Sequence, residues 1–341
     1  MSQNDIEKLI ELFKNPKKIV ISSHYNPDGD AVGSAMALYH VLKQLNHQVS
    51  VIFPNKFPLF LSWIEESERS LIFEQDGASA SQVISAADII FCVDYNSFKR
   101  LGEMESLMVK SKAIKVLIDH HPDPEKEHFG FVYHSASASS TAELVYKFLK
   151  LTGLHSKINR QVAESLYAGI ITDTGSLSFS CNNPDTYIII AKLIQKGLDA
   201  ERAHRLIYDD FSENRMRLLG YTIYQKMIVI PEYFTAIIAL TIDELARFGY
   251  QQGDTEGIVN FPLSMKAINF SVMLVERTDR IRLSFRSKGS FPANTIAARY
   301  FEGGGHLNAA GGDSYLSMQE TIRRLKEILP QYYDQLNFEI R

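Results

Sequence analysis

Residues 18–45, KIVISSHYNPDGDAVGSAMALYHVLKQL, decide the fold. Lys18–Ser22 is a short β-branched run with the composition of a buried strand. A polar loop, His24–Asp30, follows it. Gly33–Leu45 then carries Met36, Tyr39, Leu42 and Leu45 at the three-residue spacing of a helical face. Val49–Phe53, Asp88–Val93 and Lys115–Ile118 repeat the strand signal with helical material between them, and Thr141–Leu151 and Gln161–Ile171 read as helices. This alternation predicts an α/β fold, a mainly parallel sheet with helices on both faces. The polar residues after Ser22, at Asp94 and at Asp119 then fall at strand carboxyl ends, the edge where open α/β sheets bind ligands.

At 341 residues the chain exceeds one ordinary core and suggests two domains. Pro184 to about Ile230 reads as helical and charge-rich, with no obvious strand. A first domain is therefore expected over 1–210, a helical connector over 211–230 and a smaller C-terminal α/β domain over 231–341. In that last part Phe234–Leu240, Lys266–Val275 and Ile281–Phe285 read as strands, and Thr255–Leu263, Ala293–Phe301 and Gln319–Leu329 as helices. No internal repeat or low-complexity segment interrupts the pattern.

A composition 45% hydrophobic and 22% charged excludes a wholly disordered chain, a collagen repeat and a coiled coil. With 36 basic and 40 acidic residues the formal charge is −4, which argues against coating long nucleic acid nonspecifically, so no long-duplex DNA binding is expected. A small phosphorylated substrate is untouched by that argument, because a metal or a local basic patch would neutralise it. Two cysteines, Cys92 and Cys181, do not make a secreted scaffold, and Cys92 reads as a small buried residue of the run Ile89–Val93. The start, MSQNDIEKLIELFKN, has no apolar signal core, and no apolar stretch approaches the ~20 residues of a membrane span. The expectation is a cytoplasmic protein without a membrane partner.

The loop His24-Tyr25-Asn26-Pro27-Asp28-Gly29-Asp30 sets one imidazole and two carboxylates within seven residues. On an extended backbone Asp28 and Asp30 would point in different directions, toward two neighbouring cations. Thiol-free, carboxylate-rich ligation suits Mg²⁺ or Mn²⁺, and an imidazole tilts the choice to Mn²⁺. Asn-Pro-Asp-Gly is equally an ordinary turn sequence. Three further clusters shift the balance: Asp94 after Ile89–Val93, Asp119-His120-His121 after Val116–Ile118, and Asp173 after the apolar stretch ending at Ile171. A strand-end Asp is often just a cap, but four acid/imidazole clusters at equivalent places in one sheet are more than coincidence supplies.

Together, His24…Asp28-Gly29-Asp30, Asp94, Asp119-His120-His121 and Asp173 resemble the four motifs of the DHH phosphoesterase superfamily. Ser139-Ser140-Thr141-Ala142-Glu143, Asp173-Thr174-Gly175, Ser284–Lys288 and Gly303-Gly304-Gly305-His306 are similar to its nano-RNase/pAp phosphatase branch, whose DHH domain precedes a DHH-associated domain across a cleft. The resemblance spans nearly the whole chain. It implies a two-metal site, one ion on His24, Asp28 and Asp94 and the other on Asp30, Asp94, His120 and Asp173, with Asp94 bridging. Such ions, ~3.5–4 Å apart, acidify a water for in-line attack on phosphorus. Asp119 would orient His120 or His121, and His121 would assist the phosphoryl oxygen or the leaving group.

Arg286, Ser287, Gly303, Gly304, Gly305 and His306 would grip the substrate. Arg286 is the best phosphate contact in the basic stretch Arg277, Arg280, Arg282, Arg286, Lys288 and Arg299, part of which must be a solvated strand face. The glycine run permits close backbone approach to an anion or nucleobase, the favoured reading, with a plain loop as the lesser alternative. No GxxxxGK[ST] occurs, so P-loop chemistry is not implied. The resemblance implies a Mn²⁺-dependent hydrolase, an oligoribonuclease-type exonuclease for short RNA or linear dinucleotides, with the 3′-phosphate of pAp as a further substrate. The alternatives are a cyclic dinucleotide phosphodiesterase, a pyrophosphatase or exopolyphosphatase, and a non-catalytic nucleotide sensor. Mg²⁺ in place of Mn²⁺ and a homodimer stay open.

Overall fold

A computed structural model describes residues 1–338, so the last three residues of the segment expected over 231–341 lie outside the described residues. The chain divides into two compact units, Met1–Asp210 and Phe211 onward.

The first unit holds strands β1 (Lys18–Ser22), β2 (Gln48–Phe53), β3 (Leu71–Ile72), β4 (Ile89–Val93), β5 (Ile114–Asp119) and β6 (Phe131–His134). Its helices are α1 (Gln3–Phe13), α2 (Gly29–Lys43), α3 (Phe73–Ser85), α4 (Glu105–Lys110), α5 (Thr141–Leu151), α6 (Arg160–Asp173), α7 (Pro184–Gln195) and α8 (Ala200–Tyr208). All six strands are parallel, in the order β3-β2-β1-β4-β5-β6. Helices cover both faces, so the central strands are apolar throughout instead of alternating; every residue of β4 is buried. The strand order turns back between β1 and β4, which makes their carboxyl ends the topological switch point of the sheet. Register does the rest. Ser22 pairs with Cys92, and Val93 with Ile118, so His24, Asp94 and Asp119 emerge side by side.

Helix α2 starts four residues before the predicted Gly33 and is buried almost all round, from Gly29 to Leu42, instead of along the single face read from the sequence. A helix lying between a sheet and other helices has no solvent face to keep polar. Its crossing with α6 is close because it is made of small residues. A Cβ on Gly33 would run into the Ser165 carbonyl oxygen and lie 2.7 Å from the Gly169 nitrogen. Both are backbone atoms that cannot swing aside, so Gly33→Ala should cost roughly 1–3 kcal/mol of stability. Thermal unfolding checks it; an unchanged midpoint would mean that the crossing has slack.

The second unit contains β7 (Met227–Ile230), β8 (Thr235–Leu240), β9 (Phe270–Glu276), β10 (Ile281–Ser287), β11 (Gly304–His306) and β12 (Ala309–Ser314). Its helices are α9 (Glu213–Tyr221), α10 (Ile242–Arg247), α11 (Ala293–Tyr300), α12 (Met318–Ile328) and α13 (Tyr333–Leu336). The sheet order is β11-β12-β10-β9-β8-β7, antiparallel except for the parallel β8–β9 pair. Three sequence expectations are corrected here. The stretch to Ile230 does contain a strand, β7, whose pairing with β8 makes the end of the expected 211–230 connector part of the second sheet. Thr255–Leu263 is not an α-helix; Pro262 removes a backbone donor, and a short 3₁₀ segment, Ile258–Ser264, forms instead. The glycine run is no plain loop, since Gly304 and Gly305 pair with Gly311 and Ala310.

Both cysteines are free and buried, and burial pushes the Cys92 thiol up to about 12. No helix among the described residues is long and apolar enough to cross a membrane.

Candidate metal centre

The loop after β1 does not run extended, as the spacing of Asp28 and Asp30 suggested. Asp28 is the N-cap of α2, its Oδ1 accepting the Asp30 and Ala31 amides at 3.1 Å, and Asp30 already lies in the first helical turn. The turn-forming character of Asn-Pro-Asp-Gly and the ligand geometry are thus one structure. Capping uses one Asp28 oxygen, and the other faces His24 Nε2 at 3.7 Å.

Asp94 follows β4 with φ 64°, a left-handed conformation that Asp tolerates better than most residues. Its Oδ2 lies 3.3 Å from His24 Nε2, and its Oδ1 lies 3.7 Å from His120 Nε2. His120 Nε2 also lies 3.8 Å from Asp30 Oδ2 and 3.4 Å from Asp173 Oδ2. His24, Asp28 and Asp94 form one group with donor atoms within 4.8 Å of one another, Asp30, Asp94 and His120 a second, and Asp94, Asp119 and His121 a third, so Asp94 is common to all three. Asp173 is the last residue of α6. A carboxylate at a helix carboxyl end opposes the macrodipole, at a cost typically below about 1 kcal/mol that a nearby cation would offset.

Asp119 resolves the choice left open between its two histidines. Its Oδ1 meets His121 Nδ1 at 2.8 Å, whereas His120 Nδ1 faces the Ala138 carbonyl at 3.4 Å. Of the two rings, it is His121 that the Asp119 carboxylate contacts.

Electrostatics describe a charge excess that the protein alone does not settle. Burial, with Asp94 and Asp173 close by, pushes Asp30 well above the ordinary carboxylate range. Burial and Asp94 push Asp119 up to about 7. Burial opposes ionisation of Asp94 too, yet His24, His121 and His120 around it hold its carboxyl far below the usual value. For His120, burial disfavours the charged ring, but Asp30, Asp94 and Asp119 raise it above its ordinary value.

These residues fit divalent cations. His24 Nδ1 meets the Tyr25 carbonyl at 2.9 Å, and its buried Nε2, without a hydrogen-bond partner, faces two carboxylates. Lone pairs that converge in a buried space are stable only around positive charge. The oxygen-rich, thiol-free set suits hard or borderline ions.

Some residues that shape this centre were given no role in the sequence reading, although Thr141 and Ala142 lie in the Ser139–Glu143 motif quoted there. Asp30 sits at the amino end of α5, where Oδ2 accepts the Thr141 amide at 2.6 Å and Oδ1 accepts the Ala142 amide at 2.8 Å. The Thr141 hydroxyl donates to Asp94 Oδ1 at 2.9 Å. The Arg100 carbonyl accepts the Tyr25 amide at 2.7 Å, and its guanidinium donates to the Asp94 carbonyl at 3.4 Å, tying the first loop to the second. The available signal was Ser140-x-x-Glu143 ahead of an apolar run, a helix-start signature that gives the α5 amino end its place.

In the second unit, pairing aligns three of the remaining candidates, Arg286, Gly304 and His306, on one sheet face. Arg286 pairs with Ala309, which pairs with His306; Ser284 pairs with Gly311, which pairs with Gly304. Arg286 and His306 thus flank a shallow row of small residues. Ser287 points the other way, its hydroxyl donating to the Phe291 carbonyl at 2.7 Å and accepting from Asn308 at 2.9 Å. A Cβ on Gly303 would run into the Gly311 oxygen, and Gly305 has φ 141° with the Ala309 oxygen only 2.6 Å from its missing Cβ. Only Gly304 of the three faces open space. Part of the basic stretch is structural: Arg280 and Arg282 pair with Asp313, and Lys288 donates to the Met265 carbonyl.

A doubly wound parallel sheet with a carboxylate–imidazole cluster at its switch point, followed by a mixed-sheet unit, defines a two-unit α/β class of protein whose cluster could hold divalent cations. Residues 18–170 match the DHH family, N-terminal domain, and residues 233–333 match the DHHA1 domain. The chain belongs to the DHH family. It is 29% identical over 322 residues to the bifunctional oligoribonuclease and PAP phosphatase NrnA of Bacillus subtilis (strain 168), covering 94% of this chain and 96% of that protein. The crystal structure of an exopolyphosphatase-related protein from Bacteroides fragilis matches with a TM-score of 0.93 and 41% identity, over 99% of this chain and 98% of that one. RecJ of Thermus thermophilus, crystallised with Mn²⁺, shares the fold at a TM-score of 0.58 and 14% identity, over 99% of this chain and 55% of RecJ.

Proposed function

We propose that the protein is a Mn²⁺-dependent phosphohydrolase that cleaves short oligoribonucleotides or linear dinucleotides from an end and removes the 3′-phosphate of pAp. The observation that carries this reading is Asp94, common to three groups of carboxylate and imidazole donors, in a chain that aligns over nearly its whole length with an oligoribonuclease and PAP phosphatase. His24, Asp28 and Asp94 would hold one ion, and Asp30, Asp94, His120 and Asp173 the other. Bound there, the ions supply positive charge for the phosphoryl oxygens and acidify water toward hydroxide near neutral pH. Asp119 holds the Nδ1 side of His121, which fixes the ring so that its other nitrogen carries a proton to the departing ester oxygen. Arg286 and His306 grip phosphate and base, and the site works in the cytoplasm.

Incubating the purified chain with Mn²⁺ and pAp, pApA, pGpG, longer RNA, cyclic di-AMP and pyrophosphate tests the proposal. Fast turnover of the dinucleotides and pAp is expected. Phosphate release from pyrophosphate alone would sink it and favour the second reading, phosphoanhydride hydrolysis, which has the exopolyphosphatase-related structure in its favour. The glycines give a finer check on the substrate grip. Gly304→Ala should raise KM several-fold with an unchanged melting temperature, because its Cβ meets nothing within the protein. Gly303→Ala, blocked by the Gly311 carbonyl, should lower the melting temperature instead. Unaltered KM in Gly304→Ala would remove that strand from the substrate site.

A further inference from the structure

We propose that Glu143 is a positioning residue for the metal centre: it fixes the amino end of α5, whose donors hold Asp30 and Asp94. The inference rests on the metal-centre reading above. Glu143 has a fully buried side chain, which for a carboxylate demands several donors. It has them. Oε2 accepts the Ser139 hydroxyl at 2.7 Å, the Ser139 amide at 3.3 Å and the Thr186 hydroxyl at 2.9 Å, and Oε1 accepts from Lys147 Nζ at 2.7 Å. Lys147 in turn pairs with Asp185 at 2.9 Å. Burial alone would raise its pKa, but Lys147, Ser139 and Thr186 hold it below the ordinary glutamate value.

An ordinary capping box would have Glu143 reach back to the N-cap amide, that of Ser140. Here the Ser140 hydroxyl accepts the Glu143 amide at 3.0 Å, while the carboxylate passes Ser140 by and grips Ser139, one residue earlier. The result is a clamp on both sides of Thr141 and Ala142. Those two residues present three donors to the candidate ligands, the Thr141 amide and the Ala142 amide to Asp30 and the Thr141 hydroxyl to Asp94. Thr186 and Asp185 open α7, so Glu143 also anchors α5 to the segment that follows Asp173. Helix capping alone would require neither the bond to Thr186 nor the Lys147–Asp185 arm.

Outer residues that orient metal ligands typically change affinity by about 10–100-fold when removed. The test titrates Mn²⁺ alone into metal-stripped full-length protein by calorimetry, with melting temperature and steady-state kinetics on pApA measured in parallel. Glu143→Ala should weaken Mn²⁺ binding at least about tenfold and lower kcat more than it raises KM. Leu149→Ala is the control, a buried apolar truncation on the same helix; it should lower the melting temperature while leaving Mn²⁺ affinity as in the parent. Should Glu143→Ala fail to fold, Glu143→Asp keeps the charge but withdraws it by one methylene, and should still weaken Mn²⁺ several-fold. Parental affinity in whichever of the two folds, or an equal loss in Leu149→Ala, overturns the inference. Asp94→Asn separates this from the reading beneath it. If Asp94→Asn also binds Mn²⁺ normally the metal centre itself is misassigned, whereas loss of binding there alone leaves only Glu143 without its role.

Discussion

Asp94→Asn is expected to abolish Mn²⁺ binding and to lower kcat on pApA by at least about 10³-fold. Metal charge at a transferring phosphoryl group is worth several kcal/mol, and each 1.36 kcal/mol is a factor of ten in rate. Asp94 belongs to both proposed ligand sets, so its loss should remove both ions where loss of Asp28 weakens one. Asparagine is the informative replacement. It keeps an acceptor for the Thr141 hydroxyl and tolerates the φ of 64°, while alanine would add strain of about 1–2 kcal/mol to the loss of charge. Calorimetry, circular dichroism and turnover at saturating Mn²⁺ together check it. Near-parental turnover with a native spectrum would refute the shared-carboxylate assignment.

How much of this centre can be read without coordinates follows from how each residue is held. Asp94 and Asp119-His120-His121 were legible because they end strands buried on both faces, and such strands announce themselves as unbroken apolar runs. Asp28 and Asp30 were legible as ligand candidates but not in their geometry, since Asn-Pro-Asp-Gly has the same appearance whether it turns a loop or caps a helix. Helix α2 hid its own start because Gly29, which reads as a turn residue after Pro27-Asp28, is the first helical residue and packs against Thr172 of α6. Thr141 was visible as part of the Ser139–Glu143 motif, but its task was not. Its role depends on Asp30 and Asp94, 111 and 47 residues away in sequence, and no local pattern records a partner at that distance.

The second unit was harder to read because its strands depend on register and little on propensity. β11 and β12 contain Gly304, Gly305, Gly311 and Gly312, residues that disfavour strands in isolation. Strand β7 is four residues long and follows a charged helix, so no alternation could build up. The face carrying Arg286 and His306 exists only once β10, β12 and β11 are aligned. A search restricted to the basic residues would have given equal weight to Arg280 and Arg282, which serve Asp313.

His121→Ala carries the second large expected effect, a fall in kcat of about 10²–10⁴-fold, the range of a positioned acid–base group. It differs from Asp94→Asn in what should survive. The short contact from His121 Nδ1 goes to Asp119 at 2.8 Å, while Asp94 Oδ1 is farther off at 3.6 Å, so the ring is tied to a carboxylate outside the proposed ligand set. Mn²⁺ affinity should therefore stay within a few-fold of the parent while turnover collapses. Leaving-group dependence supplies the decisive measurement. A p-nitrophenyl ester departs without needing a proton, so His121→Ala should lose far less activity on such a substrate than on a ribonucleotide ester. Asp119→Asn, which keeps the ring in place less well but leaves it present, should show the same selectivity with a smaller loss. Equal losses on both leaving groups, or a matching loss of Mn²⁺, would instead make His121 a ligand and return Asp119 to the task of holding it there.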